Sequence, residues 1–507
     1  MRPFLDWFQQ HIRPDEPWLI LGKGPSFGLR EKYDLAGYRL LSLNHAVREQ
    51  SVLVAHLIDL DVLEVCGDTL ERQAGVLVMP WYPHVANQPG SQSLETLVAS
   101  VPVLRRLDAE DRLLWYDLST APVRYGTAPV VQATYFSAEA ALDLLALAGA
   151  RRIRTLGVDG GTSYSTDFND LRDRTLLANG RTNFDLQFQG FAGTILRTGV
   201  DVAPLDAPSP VRVYVGHTPA EALALAVLRF SIRKRASLST EVVPLSTDGP
   251  SLPGEDDRAL VMAPRVQCLS DVRPLWLGPV DRDEVLLPGG PPPSGSRAMA
   301  LALVGPNSRS NASVMAMLAH RGCLPEALPE PLSTRARFRL DPGWQPTPRY
   351  RRGQTRAVYY ANDGSEPWLS RTHPLGHVWM QDLLEAVATG FISPELVTNE
   401  IGRGHVRPSL AYQVEHHLLE AILLPRRARL LDRGFRPPEG ERIGAGSPVG
   451  RWLTLPQALA REAERYAREY RRRRPSRQST ARIGPQPERP AEPRGWEARR
   501  PGIAAQK

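Results

Sequence analysis

Short apolar runs that stop at glycine or at a polar residue recur along this chain, and they set its fold class. WLIL (18–21) runs into Gly22, and YRLLSLN (38–44) ends on Asn44. VLVAHLIDLDVL (52–63) carries two aspartates, and GVLVMPW (75–81) and RLLWYDLS (112–119) follow. A helical pattern comes next at SAEAALDLLALAG (137–149), with Ser137 as the N-cap and Gly149 as the stop. IRTLGVDGG (153–161) is then a strand entering a glycine turn. Short apolar runs separated by helical patterns predict an α/β fold with a mostly parallel, doubly wound sheet.

LDAPSPVRVYVG (205–216) marks a boundary, where a proline-rich link leads to a new strand. PAEALALAVLRFSIRKRA (219–236) reads as a helix with Glu221 in its first turn and Arg233, Lys234 and Arg235 in its last, the polarity that suits the helix dipole. EVVPL (241–245) restarts the pattern, and PGGPPPSGS (288–296) is a loop. The expectation is two Rossmann-like domains, 1–208 and 209–435, followed by a basic Pro/Arg-rich tail, 436–507. The tail holds one helix near 456–474, with Leu459, Ala463, Tyr466 and Tyr470 on one face, and is otherwise disordered.

Composition narrows the function classes. The 507 residues imply about three units. The net charge of +7 is misleading, because residues 451–507 hold fourteen Arg and one Lys against six Glu. That tail carries +9 and the preceding 450 residues sum to −2. A core of that sign argues against a specific nucleic-acid partner. Three cysteines, Cys66, Cys268 and Cys323, with no CxxC pair, exclude a disulfide scaffold and fit a reducing cytoplasm. No apolar h-region opens the chain and no apolar run reaches membrane-spanning length, so the protein is expected in the cytoplasm. The Arg471–Arg474 run reads first as a solvated helix end; it also allows peripheral contact with an acidic membrane surface at its inner face, or with RNA.

Candidate chemistry gathers at the ends of the first strands. Gly22, Lys23, Gly24, Pro25 and Ser26 form a turn where glycines allow backbone to approach a phosphate, and a following helix N-terminus offers free N–H groups. The third glycine is Gly28, giving GxGxxxG, which departs from the dinucleotide fingerprint GxGxxG. Asn44 stands where a dinucleotide enzyme places an acid, so NAD is disfavoured. Asp59 and Asp61, two apart on a strand, would share one face and could hold a cation or supply a base; alternatively they cap a following helix. His45 and His56 fit structural roles better than catalytic ones, with His45 kept as a catalytic candidate. Asp159, Gly160 and Gly161 suit a ribose or sugar hydroxyl contact, or an Asp-Gly turn with no ligand. Asp167, Asp170 and Asn179-Gly180 read as turn chemistry. In the second domain, Asn362, Asp363, His373 and His377 match no metal spacing, and packing on Trp368 and Trp379 is the better reading. His416 and His417 read as helix surface.

The turn Gly22-x-Gly24-Pro25-Ser26 followed by Leu43-Asn44 resembles bacterial sialyltransferases and related Rossmann-like proteins over roughly 1–205. That resemblance implies that the glycine turn and Asn44 contact the nucleotide of a sugar donor. Residues 211–237 and 358–379 are similar to glycogenin-like, family-eight transferases of the GT-A type. There the resemblance implies a D-x-D metal motif before Ser270-Asp271-Val272-Arg273-Pro274-Leu275-Trp276, but the chain reads Ala263-Pro264-Arg265. Tyr359 stands where that family has its later metal histidine. A divalent metal is therefore not expected in the second domain, no cofactor is assigned, and Arg265 would have to neutralise a diphosphate.

The leading expectation is a glycosyltransferase of the first domain, taking a nucleotide-sugar donor and a glycan or lipid-linked acceptor in cell-surface or extracellular polysaccharide synthesis. Gly22, Lys23, Gly24, Pro25, Ser26, Asn44, Asp61, Gly160 and Gly161 would bind the donor. Asp59, Asp159 or His45 would serve catalysis. The alternatives are a non-catalytic carbohydrate- or partner-binding scaffold built on a degenerate transferase, and a phosphotransferase using Lys23; no GxxxxGK[ST] pattern supports the last.

Overall fold

A computed structural model describes residues 1–245, 258–278, 285–288, 301–304, 336–344, 350–360, 365–436, 457, 459–465 and 467. In the first half the strands are β1 (Arg2–Pro3), β2 (Trp18–Leu21), β3 (Arg39–Leu43), β4 (Val52–His56), β5 (Ala74–Pro80), a small hairpin of β6 (His84–Val85) and β7 (Gln88–Pro89), β8 (Leu113–Tyr116), β9 (Arg152–Leu156) and β10 (Asp201–Pro204). All but the hairpin join one sheet in the order β1-β8-β5-β4-β3-β2-β9-β10, with every pair parallel.

Alternation along β2 shows why the sheet is covered on both sides. Trp18 and Ile20 face one core, with α1 (Phe4–His11), α5 (Ser137–Ala148) and α7 (Gln187–Thr198). Leu19 and Leu21 face the other, with α2 (Val62–Gln73), α3 (Leu94–Ser100) and α4 (Pro102–Ala109). A short α6 (Arg172–Thr175) lies between β9 and α7. From β2 the chain moves outward through β3, β4, β5 and β8; from β9 it moves the other way to β10. The direction of winding therefore switches between β2 and β9, the place where open α/β sheets bind ligands.

Two local expectations are corrected. The run 52–63 is a strand only to His56; Val62 opens α2, whose buried Val62, Leu63, Cys66 and Leu70 follow helical spacing. Ser137 is the first residue of α5 and not its cap. Glu139 instead reaches back to the amides of Thr134, Tyr135 and Phe136 at 2.9, 3.0 and 2.9 Å. Gly149 ends α5 at φ +107°, as expected.

The second half opens with β11 (Val211–Gly216), and a turn at Pro219–Glu221 leads into α8 (Ala222–Arg235). The strands that follow are β12 (Thr240–Leu245), β13 (Ala259–Met262), β14 (Val266–Cys268), β15 (Val285–Pro288), β16 (Leu301–Val304), β17 (Ala336–Leu340) and β18 (Ala357–Tyr359). Six of them form the sheet β12-β11-β13-β16-β15-β17, in which β16 runs antiparallel to both neighbours, and β14 pairs with β18. The basic end of α8 does more than answer its dipole: Lys234 and Arg235 grip the fully buried Asp382 at 3.1 and 2.9 Å. Trp368 and Trp379 pack together at 5.4 Å, and His416 and His417 are exposed after the helix Ser409–Glu415.

The two halves share backbone and side-chain bonds. Val202 in β10 donates its amide to Ser239 Oγ at 2.8 Å, and Ser239 donates its own to Val202 O at 3.0 Å. Arg273, 6% exposed, lays its guanidinium 3.9 Å from the Phe188 ring centroid and donates to Val158 O at 3.4 Å. Both sheets lie in one compact unit, Met1–Trp452, and a second unit is Leu453–Lys507. Residues 459–465 are helical, with Leu459 and Ala463 of the expected apolar face exposed. Arg471–Arg474, the loop beyond Pro288, and Asn362 and Asp363 lie outside the described residues. Among the described residues no helix is long and apolar enough to cross a membrane.

Candidate functional site

The glycine turn after β2 is built against the turn after β9. Gly22 donates its amide to Leu156 O at 2.8 Å and Gly24 to Gly157 O at 2.7 Å. A Cβ on Gly22 would stand 2.2 Å from Gly157 O, and one on Gly24 would stand 2.6 Å from Asp159 Oδ2. Gly157 has φ +74°, and a Cβ there would meet Gly22 O at 2.4 Å. Gly22 and Gly157 accept no side chain because their backbones touch, and at Gly24 the Asp159 carboxylate fills the space. Asp159 then closes the joint: it accepts the Ser26 amide at 2.7 Å and the Ser26 hydroxyl at 2.5 Å, while Ser26 Oγ accepts the Gly157 amide at 2.7 Å. Pro25 has no N–H and opens the 3-10 helix Pro25–Lys32.

These bonds change what the motif offers. The amides of Gly22, Gly24 and Ser26 are engaged within the protein, so they are not a phosphate cradle. Asp159 is a clamp whose two oxygens each carry a donor from Ser26, and it also lines the adjoining cleft. Gly160 and Gly161, at φ +86° and +66°, wrap Asp185, which accepts the Gly161 amide at 3.0 Å. Of the five turn residues, Gly22, Lys23 and Gly24 line the cleft beside this joint, as do Asp159 and Gly160, and among them Lys23 carries the positive charge.

Lys23 points into a cleft of about 490 Å³ that opens over the carboxyl ends of β2, β3, β4 and β9. Its Nζ donates to Thr175 Oγ1 at 3.2 Å and lies 4.3 Å from the Tyr164 ring centroid. Burial lowers its ammonium to about 8. Asp59 lines the same cleft, with burial first and Asp61 second pushing it up to about 6, against the pull of the Asn87 amide and Lys23. Asp59 and Asp61 are not on a strand and cap nothing with their side chains. They hold the hairpin tip: Asp59 accepts the Asn87 amide at 3.2 Å and Asp61 the Ala86 amide at 2.5 Å. Ala86 and Asn87 sit at φ +49° and +59°, a left-handed pair that needs such support.

Asn44 also takes positive φ, +51°, and donates Nδ2 to Ser137 Oγ at 3.3 Å, leaving Oδ1 buried without a partner among the described residues. His45 is 3% exposed, and burial, helped by Lys23 and Arg48, pulls its imidazole down to about 3. It is neutral and cannot donate a proton as an imidazolium near neutral pH. Its Nδ1 has no partner among the described residues. His56 lies below the cleft, bonded to Tyr116 Oη at 2.9 Å, a structural place.

The cleft contains groups that no motif announced. Tyr135, Phe136, Tyr164 and Phe184 form an aromatic wall, with Phe136 and Phe184 centroids 5.1 Å apart. Arg174 and Arg181 add positive charge, Arg181 resting 5.0 Å from the Tyr135 ring centroid. These residues come from the connections that precede α5 and that join β9 to α7 through α6, whose meeting depends on the β2/β9 switch and on Glu139. Sequence spacing carries no signal of it. Asp167 and Asp170 are turn chemistry with partners: Arg30 at 3.0 Å and Arg48 at 2.8 Å.

In the second half, Arg265 stands between two buried carboxylates, Glu221 at 2.9 Å and Glu366 at 3.6 Å. It is thus neutralised within the fold, which corrects the expectation that it could face a diphosphate. Among the described residues no group of three His, Cys, Asp or Glu could hold a metal ion. No family model, no curated protein and no solved structure matches this chain.

Proposed function

We propose that the first half is a metal-independent glycosyltransferase that takes a nucleotide-sugar donor into the cleft at the β2/β9 switch. One observation carries the reading: Lys23 and Asp59, a cation and a carboxylate raised to about 6, line one cleft at the position where such sheets bind ligands. Lys23, Arg174 and Arg181 face the donor diphosphate, and the aromatic wall takes its base. Asp59 takes the proton from the acceptor hydroxyl as that oxygen displaces the nucleotide diphosphate. A carboxyl group near 6 is a stronger base than an ordinary aspartate and still ionised at neutral pH. The acceptor class is a glycan or lipid-linked glycan of cell-surface or extracellular polysaccharide, made at the cytoplasmic side, with the basic tail near an acidic membrane surface.

The second half serves this reading as a non-catalytic platform, because Arg265 replaces metal carboxylates. The engaged amides of the glycine turn favour a scaffold reading for the whole chain as the competitor. The test is thermal shift and donor hydrolysis with CMP-, UDP- and GDP-sugars and ATP, each with Mn²⁺ and with EDTA. A ligand at 100 times its Kd stabilises by about 2.7 kcal/mol. We expect a shift with one sugar nucleotide that EDTA leaves intact. Asp59→Asn should keep that shift and lose roughly 10²- to 10⁴-fold in turnover. No shift with any nucleotide transfers the chain to the scaffold reading, and a shift with ATP alone makes it a phosphotransferase.

A further inference from the structure

The segment that closes the second half has an unusual surface. The short helix Arg426–Leu430 buries Ala428 against the fold, and Leu424 just before it is also buried. Its outer side carries Leu430 and Leu431, 53% and 54% exposed, among the exposed Arg426, Arg427, Arg429 and Arg433. Ile422, earlier in the same segment, is 40% exposed. Single exposed leucines are ordinary, but adjacent ones inside a run of arginines form a patch. The one acid within the segment, Asp432, is engaged inward: it accepts the Ser409 amide and hydroxyl, both at 2.7 Å, and pairs with Arg371 at 2.8 Å. The outward charges that residues 422–433 themselves carry are therefore all positive.

We propose that residues 422–433 dock this protein on an anionic lipid surface, independently of the basic tail and of the cleft's chemistry. Arginines near such a surface attract acidic headgroups, and exposed leucines between them enter the headgroup–acyl boundary. Charge alone would equally suit RNA. The leucines decide between them, because phosphate-backbone binding gives them nothing to do.

The test is co-sedimentation of the full chain with vesicles of phosphatidylcholine, pure or mixed with phosphatidylglycerol. The parent should bind the mixed vesicles, less at high salt, and leave the neutral ones. Arg426→Gln/Arg429→Gln/Arg433→Gln should weaken binding about a hundred-fold, at about 1 kcal/mol per charge. Leu430→Ser/Leu431→Ser should weaken it roughly ten-fold or more. Replacing Arg471–Arg474 by Gln should leave most of the binding. An unchanged thermal melt confirms that each variant is folded. Patch variants that bind like the parent overturn the proposal, as does loss of binding in the tail variant alone. Equal binding to neutral vesicles overturns its electrostatic part. Binding of poly-U RNA that ignores the leucine substitutions, with no vesicle binding, assigns the patch to nucleic acid.

Discussion

Replacing Gly22 by alanine measures how tightly the two turns at the winding switch are joined. The added Cβ would stand 2.2 Å from Gly157 O and 2.9 Å from Gly157 C. Those are backbone atoms and cannot rotate away. Relief to ordinary contact needs a movement of more than about 1 Å between β2 and β9, since ordinary Cβ contacts lie at 3.4–4 Å. Such a movement stretches Gly22 N to Leu156 O, 2.8 Å, and Gly24 N to Gly157 O, 2.7 Å. Overpacking costs about 1–3 kcal/mol and each lost hydrogen bond about 1 kcal/mol, so the sum is about 3–5 kcal/mol. For a region of this size that lowers Tm by roughly 10 °C. The assay is thermal and urea unfolding followed by circular dichroism, with Gly37→Ala as control, because nothing lies within 4 Å of a Cβ there. A Gly22→Ala melt within about 2 °C of the parent would refute the backbone-contact account and return the glycines to a ligand role.

Acid stability tests the buried imidazoles. His45 and His56 are both held down to about 3 by burial, so the unfolded chain binds their protons first below about 6.5 and stability falls as pH drops through that window. Asp59 and Glu139, raised to about 6 and about 7, act in the opposite sense, since the folded chain protonates them first. The His45→Gln/His56→Gln variant should therefore lose less stability than the parent between about pH 7 and 5 in urea midpoints; parallel slopes would remove the histidines as the cause. Arg265→Ala leaves Glu221 and Glu366 facing each other without their shared cation, and should cost about 3–5 kcal/mol in equilibrium unfolding. A loss below about 1 kcal/mol would mean that the trio is not a structural ion cluster.

Period and punctuation made much of the first sheet legible. WLIL, RLLSL and VLVAH are strands because they are short, apolar and stopped by polar or glycine residues. The error at 57–63 has a physical source: an apolar run does not show where its period changes from two to 3.6. Helices α1, α3 and α4 carry little sequence signal, since each spans only about two turns. The 12-residue α7 is interrupted by Gly190 and Gly193, which weaken its helical pattern. At the site, the sequence located Lys23, Asn44, His45 and Asp59 at strand ends, and all four line the cleft. It could not tell that Ser26 and Asp159 bind each other, because 133 residues separate them. The aromatic wall and Arg174, which sits in the four-residue α6, come from segments without a regular pattern, so only the folded chain brings them together.

The exchange between Val202 and Ser239 has a consequence for the outermost strand of the first sheet. β10 has β9 on one side and, on the other, Ser239 of the second half, which takes both polar groups of Val202, while Ser209 donates to the Asp201 carboxylate. A fragment ended at residue 208 would present that flank as an open parallel edge, a template for pairing with another chain. It would also strip Arg273 from the face of Phe188. Such a fragment should aggregate even with its own core intact, so the link at 205–210 joins two halves that guard each other's exposed margins.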